Sequence, residues 1–240
     1  MKILSVGIHA SDCEYGMGGT AALLAERGHE VLFVNLRSPS EEDGLQEKSV
    51  RAAEILCARQ IFLASEQNGA YELNEKSVRA LEALLTEEKP DVVFLPNPQD
   101  KDEERLACAH TVHEALFAAA VDGIAPNEVY TYESPNNQSV RHFIPDFLIH
   151  IKSKEDCLKE SILTASADEA AGEALWNEKK LCACFRDHIR SYPSTDGLSD
   201  GFRTLKFPEK NNGFLLFDAL NDLFAWNGTK MYYPRFTEIF

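Results

Sequence analysis

MKILSVGIHASDCEYGMGGT, residues 1–20, sets an apolar run over residues 3–6 directly before a polar cluster, His9, Ser11, Asp12, Cys13 and Glu14, and a glycine-rich entry to a helix. A near-continuous apolar run reads as a strand covered on both faces. A polar cluster just beyond such a strand falls where open α/β sheets place their chemistry, in the crevice at the carboxyl ends of the strands. The helix expected next covers residues 18–27, with Ala21, Leu23, Leu24 and Ala25 apolar and Gly28 placed to end it in the left-handed conformation. His29 and Glu30 lead into a second strand, Val31-Leu32-Phe33-Val34. Strand, helix and strand within about 35 residues is the size of one βαβ unit.

The pattern repeats along the chain. A loop with Ser38-Pro39-Ser40 precedes a helix over residues 45–58, whose Val50, Ala53, Ile55 and Leu56 form a buried stripe, and then a third strand over 60–63. After a turn at Gln67-Asn68-Gly69, Val78, Leu81, Leu84 and Leu85 mark a helix over 74–88, and Val92-Val93-Phe94-Leu95 is the fourth strand. A loop over 96–102 opens a helix over 103–120, with Asp102, Glu103 and Glu104 favourably placed at the positive end of its dipole. Strands alternating with helices in this way predict a Rossmann-like, doubly wound, mostly parallel sheet with helices on both faces.

The later sequence predicts strands over 128–133 and 147–151, a largely helical stretch over 154–189, a polar loop over 194–201 and an aromatic segment over 211–240. That last segment, with Phe214, Phe217, Tyr232, Tyr233, Phe236 and Phe240, reads as an irregular C-terminal layer on the sheet. The sharper reading makes it a surface for homo-oligomer formation. No linker divides the chain, so residues 1–240 are expected to form a single domain.

A net charge of −15 argues against a nucleic-acid partner, which needs clustered Lys and Arg to displace counterions. The opening apolar run is far shorter than the ~20 residues of a membrane span or the roughly 7–15 of a signal-peptide core, so the expectation is a soluble, cytoplasmic protein with no membrane partner. The six cysteines show no CxxC spacing and read as reduced thiols.

Spacing leaves several chemistries open. His9 and Asp12, three apart in a strand-to-helix turn, could bring an imidazole and a carboxylate to one Zn²⁺ ion, which needs a third protein ligand for a catalytic site. The plainer reading has Asp12 holding turn amides and His9 as a satisfied polar residue. Gly16, Gly18 and Gly19 offer anion-binding helix amides, but acidic neighbours and the absence of a Walker lysine favour glycines that let the helix pack closely on the first strand. His110 and His113 share a face of the fourth helix, where packing or exposure is favoured over ligation. Ser11 lacks the G-x-S-x-G setting of a nucleophile.

The stretch IHASDCEYGMGGT followed by GHEV resembles the LmbE-like, or PIG-L-like, N-acetylglucosamine deacetylases, which carry AHPDDE, a glycine-rich segment ending in GGT, and GHEV in the same register. Agreement extends through Ala52-Ala53-Glu54-Ile55-Leu56 and Lys89-Pro90-Asp91-Val92-Val93-Phe94 to Pro96 and Asp100, and more faintly to the end of the chain. The resemblance implies the same α/β fold and a Zn²⁺-dependent amidase ancestry. It matches His9 and Asp12 to the metal ligands, Ser11 to the general base, Arg105 to the third metal ligand and Asp102 to a catalytic histidine. Three of these positions depart from the pattern. Serine has no useful basicity near neutral pH, and a guanidinium has no free lone pair to give a metal.

The resulting expectation is a divergent family member with a degraded zinc site and no cofactor. It acts as a ligand-binding or regulatory pseudoenzyme whose crevice is formed by His9, Asp12, Cys13, Glu14 and Arg105 and takes an amino-sugar-like ligand. Arg105 is expected to pair with Asp12 or Asp102 in place of the metal. The alternative is an active metal-dependent amidase with zinc held by His9, Asp12 and acidic residues near Asp102.

Overall fold

In the computed structural model, which describes residues 1–38, 44–63, 70–136, 143–191, 197–206, 214–220 and 222–226, the chain is built around one sheet. Strands β1 (Lys2–Gly7), β2 (Glu30–Asn35), β3 (Arg59–Phe62), β4 (Val92–Pro96) and β5 (Glu128–Tyr132) alternate with helices α1 (Asp12–Glu26), α2 (Leu45–Ile55), α3 (Glu75–Glu88) and α4 (Glu103–Val121). These strands pair in parallel in the order β3-β2-β1-β4-β5. Strands β6 (Phe147–His150), β7 (Ser199–Lys206) and β8 (Phe224–Trp226) extend the sheet in antiparallel fashion, in the order β5-β7-β6-β8. Helices α5 (Glu155–Ala165) and α6 (Glu169–Ser191) connect β6 to β7, and α7 (Leu215–Leu220) precedes β8.

The central strands feed alternate residues to opposite faces, as the pleat requires. Ile3, Phe33, Val92 and Phe94 enter one apolar layer with Met17 and Leu24 of α1, Ala53 of α2, Leu158 of α5 and Trp176 of α6. Leu4, Val6, Val34, Val93 and Leu95 enter the other, with Leu81 and Leu85 of α3 and Val112 of α4. Both faces are covered, which is why the strands read as continuous apolar runs. β1 and β4 lie side by side although β2 and β3 intervene in sequence. The chain changes face between them, and the segments after β1 and β4 diverge. A crevice opens at such a switch point, and the polar cluster after β1 lies there.

Two expectations are corrected. The first helix begins at Asp12, six residues before the expected start at residue 18. Glycine costs a helix about 1 kcal/mol relative to alanine, which argued for the later start, but tertiary packing overrides it. A Cβ on Gly16 would stand 2.3 Å from the Tyr132 ring, and one on Gly19 2.6 Å from Ile151. The glycines therefore allow α1 to close on the sheet along its length. Gly16→Ala is expected to destabilise the protein by about 1–3 kcal/mol through overpacking, because the Tyr132 ring is fully buried and its hydroxyl donates to the Val6 carbonyl at 2.7 Å. An unchanged denaturation midpoint contradicts this.

The second correction concerns the expected polar loop at 194–201. Its last residues begin β7, pairing with β6 through Ser199 and Gly201. The segment is polar because Asp200 is a buried ion-pair partner rather than a solvated residue. At the C-terminus, α7 and β8 join the fold, with β8 at the sheet edge. Pro39, Ser40, the Gln67-Asn68-Gly69 turn and, of the proposed self-association surface, the aromatic residues Tyr232, Tyr233, Phe236 and Phe240 lie outside the described residues. Among the described residues no helix is long and apolar enough to cross a membrane.

Candidate functional site

β1 ends at Gly7 and the chain turns through residues 8–11 into α1, with the Asp12 amide donating to the His9 carbonyl at 3.2 Å. Ser11 adopts the left-handed conformation, φ 78°, and caps α1 without a side-chain hydrogen bond. Asp12, the first helical residue, is fully buried. Its Oδ2 accepts from the amides of Ile8 at 3.1 Å and His9 at 3.0 Å. Its Oδ1 accepts from Arg105 Nε at 3.0 Å and stands 3.0 Å from Arg105 Nη2.

Arg105 comes from the first turn of α4. Asp102 caps that helix, its Oδ1 accepting from the Arg105 amide at 3.0 Å. The guanidinium is buried; Nη1 donates to the Pro135 carbonyl at 2.9 Å and stands 3.7 Å from Asp102 Oδ2. One side chain thus ties the β1–α1 turn, the start of α4 and the segment after β5.

A second arm starts at His9. Its Nε2 lies 2.6 Å from Glu104 Oε2, and its Nδ1 stands 3.6 Å from Asp12 Oδ2. Glu104 Oε1 accepts from Arg37 Nη1 at 2.9 Å and from the Tyr71 amide at 2.5 Å. Asn35 at the end of β2 holds the turn by donating from Nδ2 to the His9 carbonyl at 2.6 Å. The charges therefore alternate along a chain, Arg105, Asp12, His9, Glu104 and Arg37, in which each charged group faces one of opposite sign.

The electrostatics follow from that order. Burial pushes the Asp12 carboxyl up, but the Arg105 guanidinium and the hydrogen bonds and charge of His9 outweigh it and hold the group at about 2. Burial pulls His9 down, yet Asp12 and Glu104 raise it overall, favouring the imidazolium. Arg105 is raised, with Asp12, Asp102 and Asp100 outweighing its burial.

Cys13 and Glu14, expected in the crevice, are both buried. Cys13 turns into the apolar layer, fully buried, with Sγ 3.5 Å from the Ser5 carbonyl oxygen. Burial, then the charge of Glu14, pushes its thiol far up and leaves it inert. Glu14 is also buried, and its carboxyl is pushed up to about 7, chiefly by burial and further by Asp12. A helix rotates about 100° per residue, so consecutive positions after Asp12 cannot all face the crevice. The partly exposed side chains there are His9, Asp102, Glu104 and Arg37, with Asp12 and Arg105 buried behind them. His110 and His113 are exposed on α4. Arg37, Asn35 and Tyr71 were not singled out from the sequence, and no motif marks them; Glu104 was read as a helix-dipole residue and, in the alternative reading, as one of the acidic residues near Asp102 that could supply a metal ligand.

The zinc implied by the resemblance does not fit these residues as they stand. Both Asp12 oxygens are taken, Oδ1 by a guanidinium that has no lone pair. His9, Asp102 and Glu104 do offer ligand atoms within 4.8 Å of one another. Their positions are already used: Glu104 is bound to His9 and Arg37, and Asp102 stands beside Arg105.

The fold and this charged crevice define an α/β protein with its site at the switch point between two parallel strands. The sequence model of the GlcNAc-PI de-N-acetylase, or PIG-L, family matches residues 4–124, about half of the chain, and the chain belongs to that family. It is 26% identical over 109 residues to the diacetylchitobiose deacetylase of Thermococcus kodakarensis, covering 40% of this chain and 41% of the relative. The matched stretch thus spans about two fifths of that relative's length. Among solved structures, the chain is similar to the conserved protein TT1542 of Thermus thermophilus, at 20% identity and TM-score 0.70, covering 85% of this chain and 94% of that one. GalB, the 4-carboxy-2-hydroxymuconate hydratase of Pseudomonas putida, gives 24% identity and TM-score 0.69 over 86% and 96% of the two chains. N,N'-diacetylchitobiose deacetylase of Pyrococcus horikoshii gives 18% and 0.66 over 85% and 83%. At these identities the structural matches establish the shared fold, which confirms the α/β architecture expected from the sequence.

Proposed function

We propose that this family member binds an amino-sugar-like small molecule at the β1–β4 crevice without hydrolysing it, and serves as a cytoplasmic ligand-binding or regulatory protein. The observation that carries this reading is the Arg105 guanidinium on Asp12 Oδ1 at 3.0 Å. Metal-assisted amide hydrolysis needs a Lewis acid, a base poised near neutral pH and a proton donor for the leaving amine. The carboxylate that would face a metal instead faces a permanent cation, and Ser11 stands at the position of the base. The ligand class is suggested by the deacetylases of chitobiose among the similar proteins. A hydratase on the same fold is a reminder that reactions do not travel with folds. The net charge of −15 disfavours nucleic acid and other polyanions as partners.

The rival reading, an amidase with a rebuilt metal centre, is favoured by one observation, the approach of His9, Asp102 and Glu104 ligand atoms to within 4.8 Å. One experiment separates the two. The protein, with and without added zinc, is incubated with N-acetylglucosamine and diacetylchitobiose, and acetate release and calorimetric binding are measured. The expected result is saturable binding with no acetate above the protein-free control. Acetate release that His9→Ala abolishes overturns the proposal in favour of the rebuilt enzyme.

A further inference from the structure

We infer that Arg105 is an internal cation standing where the family's metal would sit, so that one side chain excludes zinc from a site whose other two ligand positions, His9 and Asp12, persist. This rests on the non-hydrolytic reading and deepens it, adding the spacing of His9 and Asp12 to the Arg105 contact. Ligand atoms about 2.0–2.2 Å from a tetrahedral zinc lie roughly 3–3.6 Å from one another. His9 Nδ1 and Asp12 Oδ2 stand 3.6 Å apart. His9 Nδ1 is moreover buried and, among the described residues, has no partner nearer than that Asp12 oxygen, an unusual state for a ring nitrogen that would normally find a close one. Two potential ligand groups therefore keep a metal-compatible spacing, with Nδ1 facing the Asp12 carboxylate.

The third corner holds the guanidinium. Arg105 Nε, 3.0 Å from Asp12 Oδ1, is separated from its Cα by the same number of bonds as Nε2 of a histidine. A histidine at this position, in a corresponding rotamer, brings a nitrogen with a lone pair to where Nε now donates. The guanidinium also donates to the Pro135 carbonyl, a tie that a metal held by an imidazole would not reproduce. Arg105 thus offsets the charge of buried Asp12, as a metal would, and anchors the segment after β5 as well.

The test compares wild type with Arg105→His, both purified without chelators, by elemental analysis, zinc calorimetry and thermal denaturation with zinc or EDTA. Wild type is expected to carry less than about a tenth of an equivalent of zinc and to melt at the same temperature in zinc and EDTA. Arg105→His is expected to bind about one equivalent and to melt higher with zinc, a gain that a second change, His9→Ala, removes. Near-stoichiometric zinc in wild type, lost in His9→Ala, overturns the inference, as does a folded Arg105→His that binds no more zinc than wild type. The wild-type measurement is decisive by itself should the variant fail to fold. Acetate release by zinc-free wild type would overturn the proposed function and leave this inference standing, whereas a zinc-loaded but inactive wild type would do the reverse.

Discussion

Arg105→Ala is expected to lower the stability of the protein by about 3–5 kcal/mol at neutral pH, the usual cost of leaving one member of a buried ion pair alone. Asp12 is fully buried, and with the guanidinium gone only two amides and His9 remain to stabilise its charge. The pH dependence carries a distinct signature. In wild type the Asp12 carboxyl falls from 3.8 to about 2 on folding, so the native state binds fewer protons than the unfolded chain. Its contribution, about 2 kcal/mol by linkage, is present above roughly pH 4 and is lost as the pH falls through about 2. In Arg105→Ala the carboxyl is raised by burial without its main counter-charge, so protonation relieves the variant. The stability gap between variant and wild type should narrow as the pH falls from the variant's raised carboxyl pKa toward the wild-type value of about 2. Urea denaturation at pH 7 and near pH 3.5 reads both effects. A gap under about 1 kcal/mol at pH 7, or one that widens in acid, contradicts the pairing.

Lys179→Met is expected to cost a similar amount, about 3–5 kcal/mol. Lys179 is 1% exposed and Asp200 not at all, and their Nζ and Oδ1 stand 2.6 Å apart. Asp200 Oδ2 in turn accepts from the Thr20 amide at 2.9 Å and its hydroxyl at 2.8 Å. One carboxylate therefore joins α6, β7 and the middle of α1. Methionine keeps the length of the lysine stem, so the loss isolates the charge from a packing cavity. The double change Lys179→Met with Asp200→Asn should cost clearly less than the sum of the single ones, because neither charge is then left alone. A single-variant loss below about 1 kcal/mol, or strict additivity, contradicts a buried pair at this position.

The parallel half of the fold was legible because each strand is buried on both faces, so its apolar run and the amphipathic helix after it recur as a unit. The start of α1 was not, since Gly16 and Gly19 lower helix propensity while their purpose, close approach to Tyr132 and Ile151, lies in residues more than a hundred positions away. β7 was hidden for a related reason. Its buried Asp200 is matched by Lys179 on another element, and a lone Asp followed by Gly resembles a turn. Within the site, spacing alone left His9 and Asp12 ambiguous between a metal pair and a polar turn. The family resemblance singled out Arg105, and the geometry places its guanidinium on Asp12. Cys13 and Glu14 were grouped with the crevice from their adjacency to Asp12, whereas the structure buries both, Cys13 in the apolar layer. Arg37 and Tyr71, which hold Glu104, belong to no motif and become visible only when the loops after β2 and before α3 are brought to α4.

The replacement of a metal by the Arg105–Asp12 pair is tested most directly by crystals grown in excess zinc, with diffraction recorded at the zinc absorption edge. The expected result is no anomalous peak between His9 and Asp12 and a guanidinium still seated on Asp12 Oδ1 near 3.0 Å. A peak about 2 Å from the His9 imidazole and the Asp12 carboxylate, with Arg105 turned away, contradicts it.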